Sequence, residues 1–326
     1  MSTVTTTPPS APGSTVASAR KDAQAREKYL GRRRRRPLMP ALIFLVVVTQ
    51  IPFVVTIGMS FMSWNILYPK DTGFGGLSNY AQVLSDPRMR AAMWNTVVMV
   101  TSSVFLSLVI GTCLALLLNR KFFGRGVVRT LLITPFLIMP MASSLMWKHL
   151  IYNPDYGMFN GILAWLGQTF GFDAPQPVWV SVAPMAAIVV TLTWTWTPFM
   201  MLITLAGLQS QDPDIVEAAT VDGAGAWQQF RFLTLPHLRQ YLELATVLGI
   251  IYLLNTYDQV FAITQGGPGS ATTNLPYEIY LTAFRKYDYG EAAAAGVIIV
   301  VISVIVANFG MRLVSSLVTT ETGKKR

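Results

Sequence analysis

One cysteine in 326 residues leaves no partner for an intramolecular disulfide and no cysteine cluster for a metal. That residue, Cys113, lies inside a long apolar block, where it reads as a small packed residue of a helix. The two histidines, His149 and His237, each stand at the end of an apolar block. Neither has a second His, Cys or carboxylate at ligand spacing, so no zinc site is expected. Charge is scarce as well: 13% of residues, against roughly 25% in an ordinary globular domain. With 52% hydrophobic residues, the chain does not read as a soluble domain. The net charge of +9 does not point to nucleic acid. Arg32 to Arg36 form one run before the first apolar block, and most other basic residues lie between blocks or at the C-terminus. A phosphate loop of the form G-x-x-x-x-G-K-[ST] is missing too. The terminal TGKKR lacks the upstream glycine, and QGGPG at 265–269 reads as a tight turn.

What the chain does have is long uncharged blocks, at about 37–62, 91–118, 130–147, 178–208, 244–263 and 292–311. About 20 helical residues cross a hydrocarbon core of about 30 Å, so each block reads as a membrane span. The fourth is long enough to overhang or tilt. The fifth is interrupted only by Asp258, expected near the outer interface and in reach of water. Residues 1–36 read as a disordered basic tail rich in Ser, Thr, Pro and Ala. The first block is about twice the length of a signal peptide's apolar core and lacks a cleavage site, so it reads as an uncleaved span. Residues 37–90 then comprise a first span with an external loop, 91–311 the main transmembrane domain, and 312–326 a second cytoplasmic tail. Arg120, Lys121, Arg125 and Arg129 crowd the link between spans two and three, whereas 150–177 has no Lys or Arg. This asymmetry predicts an all-α membrane protein of six transmembrane helices with both termini in the cytoplasm.

The segment 209–240 is polar and glycine-punctuated between two apolar blocks. Asp212 is a good helix N-cap, Pro213 suits the first helical position, and Gly223 is a plausible stop. A second helix is expected from about Ala224, with Trp227, Phe230 and Leu233 on one face and Pro236 limiting its continuation. On these features alone the segment could rest on lipid headgroups or dock a cytoplasmic partner. Its pattern is Glu217-Ala218-Ala219, three residues, Gly223, nine residues, Leu233, one residue, Leu235-Pro236. This resembles the EAA loop of ABC importer permeases, with Leu233 where the family often has Ile. The segment TQGGPGSATTNLPYEIYLTAF, followed by YGEAAAAG, resembles the carbohydrate-uptake, maltose-type permeases. The resemblance covers about residues 37–311 and implies the type I ABC importer permease fold.

The resemblance further implies a transport subunit in a bacterial cell membrane, binding no cofactor of its own. ATP and Mg would sit on a cytoplasmic ATPase dimer docked through Glu217, Ala218, Ala219, Asp222, Gly223, Leu235 and Pro236. Its other expected partners are a second homologous permease, an extracytoplasmic sugar-binding protein, a sugar or polyol substrate and membrane lipid. In span five, Gly249, Tyr252, Leu253 and Thr256 follow helical spacing and share one face, with Asn255 off that stripe. In maltose-type permeases the corresponding face contacts the sugar. Trp196 and Phe199 of span four match positions near it, and aromatic rings suit the apolar C–H faces of sugars. An ion-coupled transporter would need intramembrane carboxylates and two related halves, and an intramembrane enzyme would need paired catalytic residues at depth. Only Asp258 is available for the first, and no paired catalytic residues appear for the second.

Overall fold

The structure, a computed structural model, describes residues 39–319, with side chains as far as Arg312. The basic run Arg32–Arg36, the N-terminal tail and residues 320–326 lie outside the described residues. The chain divides into two compact units, Met1–Thr56 and Ile57–Arg326. The described part of the first unit is helical, the start of α1 (Met39–Ser60). Pro52 removes one backbone donor from that helix, and Thr56 donates its hydroxyl to the Pro52 carbonyl at 2.9 Å.

The second unit is a helical bundle with a small cap. The cap holds a two-residue hairpin, β1 (Met62–Ser63) against β2 (Gly73–Phe74), and the short helix α2 (Ser78–Ser85). Asn79 fixes the cap by donating to the Ser60 and Met62 carbonyls at 2.9 and 2.8 Å. Helix α3 (Pro87–Asn119) starts on an Asp86 cap with proline at its first turn. It packs extensively on α8 (Pro184–Gln209). The reason lies in residue size: Ser103, Ser107, Gly111 and Ala115 recur every four residues and are all buried. Small residues at that spacing let two helix backbones approach where lipid offers no hydrophobic driving force. A Cβ at Gly111 would lie 2.8 Å from the Met201 nitrogen and 3.0 Å from the Thr197 carbonyl. Cys113 lies elsewhere on the helix and is exposed, so the packed position expected from the sequence is corrected. Two residues past Gly111 is about 200° of helical turn, which points the side chain away from α8.

Among the described residues, four helices are long and apolar enough to cross a membrane: α1, α3, α8 and α13 (Tyr289–Thr319). The third predicted block is not straight. Helix α4 (Arg125–Leu137) and the segment Pro140–Ile151, which contains α5 (Pro140–Met146), meet at 99°, making a fifth span if the pair counts as one. Ile138 and Met139 are extended before Pro140, because the residue preceding a proline is disfavoured in the helical region. The fourth block is split at Pro184, which separates the turn α7 (Trp179–Val182) from α8. The link between α5 and α7 contains α6 (Met158–Phe170).

The fifth block differs most from expectation. Its helix, α11 (Leu235–Leu253), begins nine residues before the predicted start at 244 and stops ten residues before the predicted end at 263. The chain then turns and resumes as a π-helical turn over Val260–Thr264. Asn274 stabilises this break by donating its side-chain amide to the Thr256 carbonyl while capping α12 (Leu275–Phe284) through the Tyr277 N–H. An irregular backbone inside an apolar bundle needs such partners for its freed carbonyls.

Candidate functional site

Two constructions on the bundle match the residues singled out above. The first is the segment between α8 and α11. Helix α9 (Pro213–Val221) opens with the Asp212 carboxylate accepting from the Asp214 N–H at 3.0 Å. It closes with the Ala224 N–H donating to the Ala219 carbonyl at 2.9 Å and the Gly223 N–H to the Thr220 carbonyl at 3.1 Å. These paired bonds need a left-handed residue, and Gly223 stands at φ +81°. Glu217, Ala218, Asp222 and Gly223 are exposed, and Ala219 is half-buried. Ile215, Val221, Trp227 and Phe232 are exposed apolar neighbours of that surface.

The second short helix, α10 (Ala226–Gln229), starts two residues past the predicted Ala224, with the Gly225 N–H donating to the Gln228 side chain at 2.8 Å. The Trp227 and Phe230 rings lie side by side, 5.7 Å apart. Pro236 does not end this helix as expected. A π-helical turn over Phe230–Thr234 carries it into α11, with Leu235 and Pro236 in the first turn. The wider turn accommodates a ring that has no N–H to donate. Gln229 was not foreseen: its amide donates to the Thr220 hydroxyl at 3.0 Å and to the Ala224 carbonyl at 2.8 Å, bracing α10 on α9. At the base, the Ser210 hydroxyl lies 2.7 Å from the Tyr241 hydroxyl and 3.1 Å from His237 Nε2, which also meets the Gly207 carbonyl at 3.1 Å. His237 therefore joins α8 to α11.

The second construction is a cluster of four rings. Trp196 and Phe199 of α8 meet edge to face at 5.6 Å. Tyr252 of α11 stacks on Trp196 at 5.6 Å, and Phe136 of α4 stacks on Phe199 at 5.5 Å. Phe136 was missed in the sequence because nothing local marks it; the bend after Leu137 leaves it at the end of α4. Tyr252 is 57% exposed, and the other three rings are half-buried. Trp196 lies about 18 Å along α8 from its start, near mid-depth of a span.

The predicted stripe on span five keeps Gly249, Tyr252 and Leu253 on one helix but loses Thr256. Gly249 packs against Met200 and Val104, and Leu253 and Thr256 are also buried. Thr256 lies beyond the end of α11, so it does not continue the helical face. Asn255 is exposed and donates to the Ile251 carbonyl at 2.8 Å. Asp258 is half-buried. Trp194, on another face of α8, joins Trp147, Tyr152, Phe159 and Trp179 in a separate packed aromatic group. There burial pushes the Tyr152 phenol up to about 12, keeping it a donor to the Ala187 carbonyl at 2.8 Å. Among the described residues no group of His, Cys, Asp and Glu is arranged to hold a metal ion.

Comparison with known proteins agrees with this architecture. The family model described as the binding-protein-dependent transport system inner membrane component matches residues 107–320. A probable ABC transporter permease protein of Sinorhizobium fredii is 40% identical over 265 residues, covering 81% of this chain and 84% of its own length. The trehalose/maltose transport system permease protein MalF of Thermococcus litoralis is 34% identical over 275 residues, covering 83% and 89%. Among solved structures, the crystal structure of a bacterial alginate ABC transporter, in complex with its alginate pentasaccharide-bound periplasmic protein, contains a similar chain. That chain is 20% identical and superposes with a TM-score of 0.72, covering 92% of this chain and 98% of its own. The chain belongs to the family of binding-protein-dependent transport system inner membrane components.

Proposed function

We propose that the protein is the permease subunit of an ABC importer that moves a sugar or polyol into the cytoplasm of a bacterium. The observation that carries this reading is the segment from Ser210 to Thr234. It is a capped, glycine-closed and braced pair of short helices held outside the bundle between α8 and α11, with Glu217, Ala218 and Val221 exposed. Such a rigid, accessible element suits docking to an ATPase that supplies the energy, since the sequence contains no phosphate loop of its own.

The sugar assignment draws on two observations. The four-ring cluster of Phe136, Trp196, Phe199 and Tyr252 offers stacking surfaces at mid-depth. The similar proteins whose names state a substrate include the trehalose/maltose permease and the sulfoquinovosyl glycerol permease protein SmoG of Agrobacterium fabrum, 31% identical over 277 residues. In this reading the chain crosses the membrane six times. The broken segment from α11 to Thr264 completes the count, both termini are cytoplasmic, and a second homologous permease supplies the other half of the path. An extracytoplasmic binding protein delivers the sugar, and an ATPase dimer holding ATP and Mg drives the cycle. Uptake measured in the assembled importer, with active and with hydrolysis-dead ATPase, tests the assignment. Uptake that stops with the dead ATPase is expected; ATP-independent uptake by this chain alone overturns it.

A further inference from the structure

Helix α6 (Met158–Phe170) has two unlike faces. One is fixed to the protein. Phe159 packs edge to face on Trp147 and Trp179 at 6.3 and 5.6 Å. Asn160 is buried, donates to the Pro154 and Pro177 carbonyls at 2.9 and 3.2 Å, and accepts from the Trp179 indole N–H at 2.7 Å. These bonds place α6 level with the N-terminal end of α8, which is one of the four membrane-length helices. The other face is apolar and uncovered: Met158 is 52% exposed, Ile162 48% and Trp165 62%. At 100° per residue these three fall within an arc of about 60°. The helix carries no Asp, Glu, Lys or Arg.

We propose that α6 is an interfacial helix, lying flat with Met158, Ile162 and Trp165 sunk into the boundary between lipid headgroups and acyl chains. Three observations favour lipid over a protein partner. Leu150, Val178 and Val182, in the segments on either side of α6 where the chain leaves and re-enters the apolar helices, are exposed apolar residues as well, at 58%, 45% and 71%. A face without charge has no ion pair to offer a soluble partner, whereas protein interfaces carry a polar rim. A tryptophan on the uncovered face is the residue type enriched at membrane–water interfaces. Burial of about 5–10 Å below the headgroups is the depth ordinary for such helices. The helix would thereby anchor the π-helical turn at Trp147–Ile151, which it contacts, to the leaflet surface.

Site-directed spin labelling in the assembled importer, reconstituted in phospholipid vesicles, tests this. Cys113 is first replaced by Ser, since it is exposed and would be labelled. Labels at Ile162→Cys and Trp165→Cys are compared with Gln168→Cys, which is exposed on the polar shoulder of the helix. Collision with oxygen relative to a water-soluble nickel chelate should be several-fold higher at 162 and 165 than at 168. Equal, nickel-dominated collision at all three sites overturns the proposal, as would immobilised labels shielded from both reagents, the signature of a covering protein. If a variant fails to assemble, Thr169→Cys reports on the same exposed face. The readout is local and needs no transport, so it fails or holds independently of the assigned function.

Discussion

The proposed coupling segment and the four-ring cluster are built from opposite materials. The coupling segment is polar where it bends: an Asp212 cap, a glycine closure at Gly223, the Gln229 brace and the Ser210–His237–Tyr241 junction. In the cluster at Phe136, Trp196, Phe199 and Tyr252 the rings meet one another at 5.5–5.6 Å, and Trp196 and Phe199 also pack on the apolar core. Directional bonds resist shear, which the proposed docking role would require. Ring contacts of about 1 kcal/mol each can be exchanged for contacts with a passing solute, which the proposed place on the sugar path would require. The two regions therefore differ in what joins them, directional bonds in one and apolar ring packing in the other, and that contrast can be broken at either end.

The largest effect is expected at a shared support. Gly111→Leu would force α3 off the α8 backbone, because the added Cβ alone meets Met201 and Thr197 atoms at 2.8–3.0 Å. Overpacking of this kind costs about 3 kcal/mol or more, and the variant should be lost from the membrane fraction. In the coupling segment, Gly223→Pro cannot adopt φ +81° and loses the N–H that bonds Thr220. At about 3 kcal/mol, roughly a hundredfold fall in uptake should accompany normal membrane insertion. Glu217→Lys reverses the exposed charge and should uncouple ATP hydrolysis from uptake in the same assay; normal uptake by either variant would show that the segment does not couple.

In the ring cluster, Tyr252→Ala removes one stacking surface without touching the core. About 1 kcal/mol corresponds to roughly a fivefold rise in the KM for uptake, with the ATPase rate of the empty importer unchanged. The smallest effect is expected for the brace. Gln229→Leu loses two hydrogen bonds in a partly exposed place, about 1 kcal/mol. Sugar moved per ATP hydrolysed should drop a few-fold. Gln229→Lys, which keeps donors toward Thr220 and Ala224, should restore most of it. If Gln229→Leu transports with unchanged stoichiometry, the Gln229 bonds do not matter to coupling.

The coupling segment was largely legible in the sequence because its bonds are short in sequence. The Asp212 cap spans two residues, and the Gly223 closure spans five. The exception, the π-helical turn before Pro236, is a choice between ending a helix and widening it. Proline permits either outcome. The ring cluster was half legible: Trp196, Phe199 and Tyr252 could be singled out, but Phe136 could not. It reaches Trp196 and Phe199 from sixty residues and more away, through a bend that an apolar block does not announce. The stripe on span five lost Thr256 for a related reason. Helical spacing at Gly249, Leu253 and Thr256 was real as a pattern, but Asn274 captures the Thr256 carbonyl and α11 stops at Leu253.

By itself, the sequence determined that this chain is an apolar helical protein with a capped polar segment between two of its blocks. Block length, charge scarcity and cap residues are local quantities that act wherever the chain finds itself. The tertiary structure decided which face of each helix is buried, where blocks three and five break, and which rings meet. Those outcomes depend on small residues such as Gly111 finding a backbone to touch and on amides such as Asn274 finding a freed carbonyl. Neither partner is near in sequence, and in an apolar medium close packing and satisfied carbonyls outweigh helical propensity.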